Sequence, residues 1–261
     1  MSARPAAAIE VRGVRKYFGD AGVTALEEVS LSIAPGEFVS LLGPSGCGKS
    51  TLLRCIAGLE KPSSGSVEVN GVRVADPPEG LGMVFQRDAL LDWRSVAQNL
   101  MLPVDFRRGD REAARARAAS LIALTGLQGF ENSHPAQLSG GMRQRVALCR
   151  ALVDDPVLLL MDEPFGALDA LTRDQMNIEL QRMWLAEHKT VIFVTHSITE
   201  AIFLGDRVVV LTPRPGRIAD VMEIALPRPR RLAVRASPQF IGYASHIRTL
   251  FEGMGLLKED A

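Results

Sequence analysis

The sequence predicts an α/β fold in which a helical segment interrupts a core built on a sheet. A short apolar run at residues 38–42 leads into a glycine-rich loop and then a helical pattern, which is half of a βαβ unit. Two more buried-strand patterns, at residues 157–161 and 191–195, flank a long helical stretch at 171–187. From residue 95 to about residue 152 the pattern is helical, which places the interruption inside the core.

The N-terminal part of the chain favours strands and turns. Residues 9–33 mix β-prone stretches with turn signals, and residues 83–85 read as another short buried strand. Residues 51–57 look helical, with Gly58 placed to end the helix. Residues 66–74 alternate like a hairpin around Asn70-Gly71, a strong turn pair.

The helical segment contains an alanine- and arginine-rich stretch at 111–124 and apolar residues at helical spacing at 141–153. These patterns predict one domain over residues 9–240, followed by a C-terminal extension at 221–261 that overlaps its end. The predicted α/β core covers about 9–86 and 153–220, and the predicted helical subdomain covers about 87–152.

Composition excludes several classes of protein. The 261 residues carry 30 basic and 30 acidic side chains, so no global positive field points to nucleic acid. Three cysteines without metal-like spacing argue against a disulfide framework or a zinc site, and fit a reducing cytosol. Residues 1–10 do not resemble a signal peptide, and apolar runs such as 157–161 are too short to span a bilayer. We therefore expect any membrane role to depend on a partner.

One loop matches the phosphate-binding pattern G-x-x-x-x-G-K-[ST] in full. Its glycines let the backbone N–H groups face phosphates, while Lys49 adds a positive charge and the Ser50 hydroxyl can ligate Mg²⁺. The motif lies between a strand and a helix, as its chemistry requires, so we predict that it binds a nucleoside triphosphate. The predicted nucleotide-binding residues are Gly43, Pro44, Ser45, Gly46, Cys47, Gly48, Lys49, Ser50 and Thr51.

Two acidic residues follow the buried strand at 157–161. Ligands gather at the carboxyl ends of strands in open α/β sheets, so Asp162 is expected to hold Mg²⁺ and Glu163 to polarise the attacking water. Alone, such a pair is usually a helix cap or a surface turn; beside a phosphate loop the catalytic role is favoured. His196 ends the strand at 191–195, where spacing leaves a structural role and a γ-phosphate contact equally open.

The segment Leu138-Ser139-Gly140-Gly141-Met142-Arg143-Gln144-Arg145 resembles the L-S-G-G-[QM] signature of ABC ATPases. The resemblance covers essentially residues 9–220, with the other family motifs in order. It implies a phosphate-loop NTPase fold of the ABC ATPase type, with an N-terminal antiparallel β subdomain and an inserted helical subdomain. The activity implied is ATP hydrolysis coupled to transmembrane transport, with ATP and Mg²⁺ as the cofactors.

The resemblance also assigns roles to single residues. Tyr17, in Lys16-Tyr17-Phe18, matches the aromatic residue that stacks on adenine. Gln86 matches the glutamine that contacts Mg²⁺ and the attacking water, and His196 matches the switch histidine. Ala167-Leu168-Asp169 matches the D-loop, with Gly166 where many members have serine.

The family architecture implies partners. Ser139, Gly140, Gly141 and Met142 are expected to contact ATP bound to a second copy of the chain, in a head-to-tail dimer. Two separate transmembrane permease subunits are implied, and an extracytoplasmic solute-binding protein indirectly. The permease is expected to dock at residues 87–100, where Leu90, Leu91 and Trp93 are expected to line a groove, with packing in the core as the alternative. The chain is accordingly expected at the cytoplasmic face of the cell membrane, as a peripheral subunit.

Four stretches are similar to one subfamily, the importers of nitrate, sulfonates and taurine: residues 88–94, 171–176, 211–218 and 227–231. Asp92 departs from that pattern, because proline is frequent there. None of these residues is expected to touch the solute, so importers of other small solutes, such as a pyrimidine precursor of thiamine, remain an alternative.

Two further classes of protein compete with a transporter subunit: a soluble ABC ATPase in DNA repair or translation, and a small-molecule kinase. The sequence has no second cassette, coiled coil or zinc module of the kind that the soluble ABC ATPases carry, and a kinase would not explain residues 138–145. The arginines at 107, 108, 111, 115 and 117 favour a solvated helix face, with contact to anionic lipid as the alternative.

Overall fold

The computed structural model describes residues 5–107, 110–166 and 168–257. Apolar, β-branched stretches in this part of the chain form ten strands. Their bounds are β1 Ile9–Phe18, β2 Val23–Ile33, β3 Phe38–Leu42, β4 Ser64–Val69, β5 Val72–Arg73, β6 Leu81–Val84, β7 Leu158–Asp162, β8 Thr190–Thr195, β9 Arg207–Leu211 and β10 Ile218–Glu223.

The described residues also form eight α-helices, most of them begun by a capping side chain. Their bounds are α1 Lys49–Ile56, α2 Val96–Leu100, α3 Leu102–Arg107, α4 Arg111–Leu124, α5 Gly140–Leu152, α6 Ala170–Glu187, α7 Ile198–Leu204 and α8 Pro238–Gly253. Four helices, α2 to α5, separate β6 from β7 in the described chain, as the sequence predicted. Arg108 and Ala167, named above, lie outside the described residues.

The strands form two sheets. A four-stranded antiparallel sheet has the order β2-β1-β4-β5, and a six-stranded sheet has the order β10-β9-β3-β8-β7-β6. The larger sheet is parallel apart from β10, which pairs antiparallel with β9 at one edge. The predicted α/β fold with an antiparallel N-terminal sheet is confirmed. Because β3, β7 and β8 run parallel, their carboxyl ends meet at one edge of the sheet.

Alternating side chains of the larger sheet enter two separate cores. On β3, Phe38 and Leu42 belong to a core shared with the helices, while Val39 and Leu41 pack with the antiparallel sheet and α1. Strands β7 and β8 alternate in the same way. A sheet covered on both faces explains why these strands read as continuous apolar runs in the sequence.

The predicted hairpin at residues 66–74 is confirmed. Asn70 and Gly71, between β4 and β5, have φ values of 51° and 76°. Two consecutive left-handed residues define the type I′ turn that Asn-Gly pairs favour, because Asn tolerates and Gly readily adopts positive φ.

The C-terminal part of the chain is fastened to the core by two arginines of the basic, proline-containing stretch. Arg230 is buried and donates from Nη1 to the carbonyls of Ile202, Phe203 and Gly205, at 2.8, 3.0 and 2.7 Å. These carbonyls lie at the C-terminal end of α7, where they have no partner within the helix. Burial lowers the pKa of Arg230 to about 10. Arg228 binds Asp206 at 2.7 Å and stacks over the Trp184 ring.

In the part of the chain that the structure describes, every helix is too short or too polar to cross a lipid bilayer.

Candidate nucleotide site

The phosphate loop lies at the carboxyl end of β3 and opens directly into α1. Gly48, the residue before α1, has φ of 105°, and a Cβ there would approach the Ala25 carbonyl oxygen to 2.6 Å. A residue with a side chain could adopt neither this backbone nor this approach without strain. Glycine at position 48 is therefore required by the shape of the loop.

A cavity of about 450 Å³ opens beside this loop, a volume typical of small-molecule sites. It is lined by Phe18, Ala21, Val23, Ala25, Ser45, Gly46, Gly48, Lys49, Ser50, Thr51, Gln86, Glu163 and Arg214. Six of the nine predicted nucleotide-binding residues of the loop are on this wall. The other three, Gly43, Pro44 and Cys47, do not line the cavity. The buried Lys49 ammonium donates hydrogen bonds to the carbonyls of Gly43 and Pro44, at 2.8 and 2.9 Å.

The two acidic residues after β7 meet the loop at different points. Asp162 Oδ1 accepts a hydrogen bond of 2.7 Å from the Ser50 hydroxyl. Burial raises the pKa of Asp162, and the hydrogen bond from Ser50 opposes that effect. Glu163 lies on the cavity wall with its Oε1 3.8 Å from Lys49 Nζ.

The pair Ser50 and Asp162 fits a magnesium ion. A hydroxyl and a carboxylate oxygen converge at hydrogen-bond distance, and Mg²⁺ prefers such hard oxygen ligands. Mg²⁺ in nucleotide sites takes only one or two protein carboxylates and completes its shell with water and phosphate. Within the described ranges, no group of three or more His, Cys, Asp or Glu residues could hold a metal.

Glu163 has a left-handed backbone with φ of 45°, a conformation that costs a non-glycine residue roughly 1–3 kcal/mol. Its backbone N–H donates to the Val194 carbonyl at 3.0 Å, which anchors it to the neighbouring strand β8. His196 follows β8, and its Nδ1 lies 3.3 Å from Glu163 Oε2. The structure thus brings Glu163, His196 and Lys49 together, while Gln86 reaches the same cavity from the end of β6.

The aromatic residue on the cavity is not the one expected from the sequence. Phe18 lines the cavity, whereas Tyr17 lines a separate depression together with Thr24 and Ser63. Phe18 rather than Tyr17 is therefore placed to contact a nucleotide bound in this cavity. The two side chains thus line different depressions of the surface.

The segment resembling the signature lies away from this cavity. Ser139 is exposed and caps α5 by accepting a hydrogen bond of 3.2 Å from the backbone N–H of Met142. A Cβ on Gly141 would approach Thr172 Cγ2 to 2.6 Å, so glycine allows α5 to pack against the start of α6. No residue of 139–142 is among the described residues that line the cavity.

Comparison with known proteins decides the family. The model of the family described as "ABC transporter" matches residues 26–166, which is more than half of the chain. The chain belongs to the ABC transporter family. It is an ATPase of that family, and the fold agrees: a solved dimeric ATP-binding cassette, MJ0796 bound to ADP and Pi, superposes with a TM-score of 0.72. It is 34% identical, and the match covers 84% of this chain and all of that one.

Two curated relatives of this ABC ATPase extend over nearly the whole chain. The taurine import ATP-binding protein TauB of Rhizobium johnstonii is 46% identical over 246 residues, covering 92% of this chain and 93% of the relative. An uncharacterised ABC transporter ATP-binding protein of Methanocaldococcus jannaschii, MJ0412, is 45% identical over 246 residues. The match covers 94% of this chain and 91% of that protein.

In this ABC ATPase, a buried carboxylate links the D-loop to the histidine. Glu200 accepts a hydrogen bond of 2.6 Å from the Thr195 hydroxyl, immediately before His196, and burial raises the pKa of Glu200. Arg173 lies 3.5 Å from Glu200 and donates to the carbonyl of Leu168 in the D-loop. The sequence reasoning missed both residues, since a contact between α6 and α7 leaves no local pattern.

Asp169 of the D-loop caps α6 in this structure. Its carboxylate accepts hydrogen bonds from the backbone N–H and the hydroxyl of Thr172, at 3.0 and 2.7 Å. These two bonds lower the pKa of Asp169. Within one copy of the ABC ATPase, Asp169 therefore fixes the start of a helix and lies outside the cavity lining.

A second cavity, of about 550 Å³, lies among the helices α2, α3 and α4. Its lining is Arg94, Ala97, Gln98, Met101, Asp105, Arg111, Arg115, Ala118, Ala119, Ile122, Gln128 and Glu131, and we call it the helical groove. Three of these residues fall in the stretch 87–100, where the sequence predicted that the permease docks. The three residues expected to line a groove there, Leu90, Leu91 and Trp93, do not line this one. Leu90 packs in the core, and Trp93 is 74% exposed elsewhere on the surface.

Arg107, Arg111 and Arg115 of the basic cluster are exposed, as a solvated helix face requires, and several arginines of the cluster also form ion pairs. Arg107 pairs with Asp154 at 2.6 Å, and Arg117 pairs with Glu187 at 2.7 Å. Arg111 pairs with Asp105 at 3.0 Å beside the helical groove. These arginines thus cross-link helices and neighbouring loops, since each carboxylate partner comes from a different element or connection.

Proposed function

We propose that this chain is the ATP-hydrolysing subunit of an importer for a small anion of the taurine, alkanesulfonate or nitrate type. The observation that carries the importer assignment is the group of TauB relatives, which are named for taurine import. Those of Rhizobium johnstonii and two strains of Burkholderia pseudomallei are 46, 48 and 50% identical over 92, 84 and 75% of this chain. The chemistry is carried by the cluster of Lys49, Ser50, Asp162, Glu163 and His196.

In the proposed reaction, the amides of the phosphate loop and the Lys49 ammonium bind the ATP phosphates. Ser50, Asp162 and Gln86 would hold Mg²⁺, which neutralises phosphate charge when bound. Glu163 accepts a proton from the attacking water, and His196 orients Glu163 through the contact at its Oε2. Gln86 lies on the same wall and positions the water.

The proposed site is completed by a second copy of the chain. Ser139, Gly140, Gly141 and Met142 open α5 at the surface, where the helix N-terminus presents backbone N–H groups and a partial positive charge. In a head-to-tail dimer this end of α5 would contact the ATP bound to the other copy, and Asp169 would lie at the same interface. Dimeric cassettes among the solved relatives support this arrangement.

Two permease subunits are the other proposed partners, and they connect the chain indirectly to an extracytoplasmic solute-binding protein. No nucleic acid partner is proposed. We place the docking of the permease at the helical groove, whose apolar floor includes Met101 and Ile122 and whose rim carries Arg94 and Arg115. Asp105 and Glu131 also line the groove, and Asp105 pairs with Arg94 and Arg111. Such a groove, with an apolar floor and charges of both signs, fits a short amphipathic helix. The chain then works as a peripheral subunit at the cytoplasmic face of the membrane.

The groove is connected to the nucleotide site through the segment after Gln86. Asp88 accepts a hydrogen bond of 3.0 Å from Arg143 Nε, on the helix that Ser139 caps. Arg150, on the same helix, donates to the carbonyls of Asp88 and Ala89, both at 2.7 Å. Movement of a docked helix would therefore reach both Gln86 and α5.

We expect Ala119→Arg to abolish docking of the permease, because a long cationic side chain on α4 would fill the helical groove. Ala116→Arg is the matched control, since Ala116 is also exposed on α4 but does not line the groove. Co-purification with the permease subunits should fall at least about tenfold for Ala119→Arg alone. Equal recovery of the two variants would show that docking occurs elsewhere.

We expect Phe18→Ala to weaken ATP binding by about 10-fold, since stacking on a base contributes roughly 1–3 kcal/mol. Tyr17→Ala, one residue earlier, should stay within about twofold of the wild type. Calorimetric titration of each variant with ATP compares their affinities directly. A larger loss for Tyr17→Ala would restore the assignment made from the sequence.

The solute is tested by growth. A deletion strain is supplied with the wild-type gene or with Lys49→Ala, and grown on taurine, alkanesulfonates or nitrate as sole sulfur or nitrogen source. We expect growth on at least one of them to require the wild-type gene. Unimpaired growth on all of them, together with a requirement for added pyrimidine or thiamine, would assign the importer to the alternative solute class.

A further inference from the structure

The loop between β9 and β10, residues 212–217, brings a cation to the nucleotide cavity from outside the phosphate-loop motif. Arg214 lies on the cavity wall, and its Nε donates to the carbonyl of Gly46 at 3.1 Å. A Cβ on Gly46 would be 3.1 Å from Arg214 Nη2, so the guanidinium lies directly against the phosphate loop.

The fold fixes the position of this loop. Gly216 donates to the Ala25 carbonyl at 3.0 Å and accepts from the backbone N–H of Glu27 at 2.9 Å. A Cβ on Gly216 would lie 2.1 Å from the Cys47 carbonyl oxygen, so the loop packs on the phosphate loop as well as on β2. Contacts of Gly216 with β2 and with the phosphate loop therefore hold the loop that carries Arg214 beside the cavity.

The charge of Arg214 is not neutralised by any carboxylate whose position the structure describes. Its hydrogen bond uses one of five guanidinium donors, and the acceptor is a neutral carbonyl. Arg217, three residues later, pairs with Glu27 at 2.8 Å. Lys49 resembles Arg214 in donating to phosphate-loop carbonyls, those of Gly43 and Pro44.

We propose that Arg214 is a second cationic contact to the phosphate chain of the bound nucleotide, complementing Lys49. This inference rests on the proposed nucleotide site. A guanidinium presents paired N–H donors that match phosphate oxygens, and such charge-assisted hydrogen bonds are about twice as strong as neutral ones. Arg214 joins the site through tertiary structure, 165 residues after Lys49 (214 − 49).

Two substitutions distinguish a charge contact of Arg214 with the nucleotide from its support of the phosphate loop. Arg214→Lys keeps the charge, whereas Arg214→Gln keeps an N–H donor for the Gly46 carbonyl but is neutral. Arg214→Ala removes both. Arg217→Ala is the matched control, because Arg217 is an exposed arginine of the same loop that does not line the cavity.

Calorimetric titration of the full-length variants with ATP and with ADP tests the proposal. We expect Arg214→Ala and Arg214→Gln to lose about tenfold in affinity for both nucleotides, with Arg214→Lys and Arg217→Ala within about threefold of the wild type. The loss should shrink as salt is raised, because exposed charges are screened.

Wild-type affinity in Arg214→Ala, or in Arg214→Gln alone, would overturn the proposal; the second result would mean that Arg214 only supports the loop. Lys49→Ala is titrated in parallel. If Lys49→Ala binds weakly and Arg214→Ala binds normally, only this inference fails. If both bind normally, the proposed nucleotide site itself is wrong.

Discussion

Glu163→Gln is expected to lower steady-state ATP hydrolysis by about 10³-fold, because it removes the carboxylate that accepts the proton of the attacking water. General bases contribute roughly 10²–10⁴-fold, and the glutamine is nearly isosteric, so the cavity keeps its shape. The glutamine also has no charge to attract Lys49, whose ammonium is 3.8 Å from Glu163 Oε1. Phosphate release measures the turnover.

The affinity for ATP is the internal control for Glu163→Gln. It should equal or exceed that of the wild type, because the phosphate loop is intact and one negative charge near the phosphates is gone. Turnover within about threefold of the wild type would exclude Glu163 as the general base.

Ser139→Arg is expected to lower hydrolysis at least about 100-fold while ATP binding to the isolated chain stays within threefold of the wild type. Ser139 lies at the exposed start of α5, and an arginine there would block the approach of a second copy. None of the described residues lining the nucleotide cavity is affected. Phosphate release and calorimetric titration separate the two quantities.

Ser120→Arg is the matched control, since Ser120 is an exposed serine on α4 that lies outside the helical groove. It should hydrolyse ATP like the wild type. If Ser139→Arg instead lost nucleotide binding as an isolated chain, Ser139 would act within its own subunit, and the composite site would be wrong.

The sequence predicted the fold class and the phosphate loop because both are encoded locally. The loop's glycines, Lys49 and Ser50 form one contiguous motif, and the buried strands read as apolar runs because the sheet is covered on both faces. α4 begins and ends at the residues predicted, 111 and 124, where Asp110 supplies the N-cap.

Tyr17 was assigned by its match to a family motif, and a motif of two adjacent aromatic residues does not show which of them faces the cavity. Irregularities of β1 also keep the strand pattern from deciding between them. Pairing of β1 with β2 shifts register between Val11 and Val14, between Val14 and Lys16, and between Lys16 and Tyr17. Each shift alters which residues face a given side, so counting alternate residues along β1 fails. The register shifts therefore hide the face of Phe18 from a sequence-based reading.

Other functional features depend on contacts between distant segments. The helical groove takes its walls from three helices, and Arg230 caps α7 across 25 to 28 residues of chain. Arg214 reaches the phosphate loop 168 residues away. The sequence marked the stretches containing Arg214 and Arg230 as typical of a subfamily, but only tertiary structure gives those arginines a physical role.

In the proposed dimer, a second copy of the chain completes the ATP site. Light scattering of Glu163→Gln, in which hydrolysis is blocked, measures its molecular mass without nucleotide, with ADP and with ATP. We expect Glu163→Gln to be a dimer with ATP and a monomer both with ADP and without nucleotide. The double variant Ser139→Arg, Glu163→Gln should be a monomer even with ATP. A monomeric Glu163→Gln chain at saturating ATP, or a dimer that survives Ser139→Arg, would contradict the composite site.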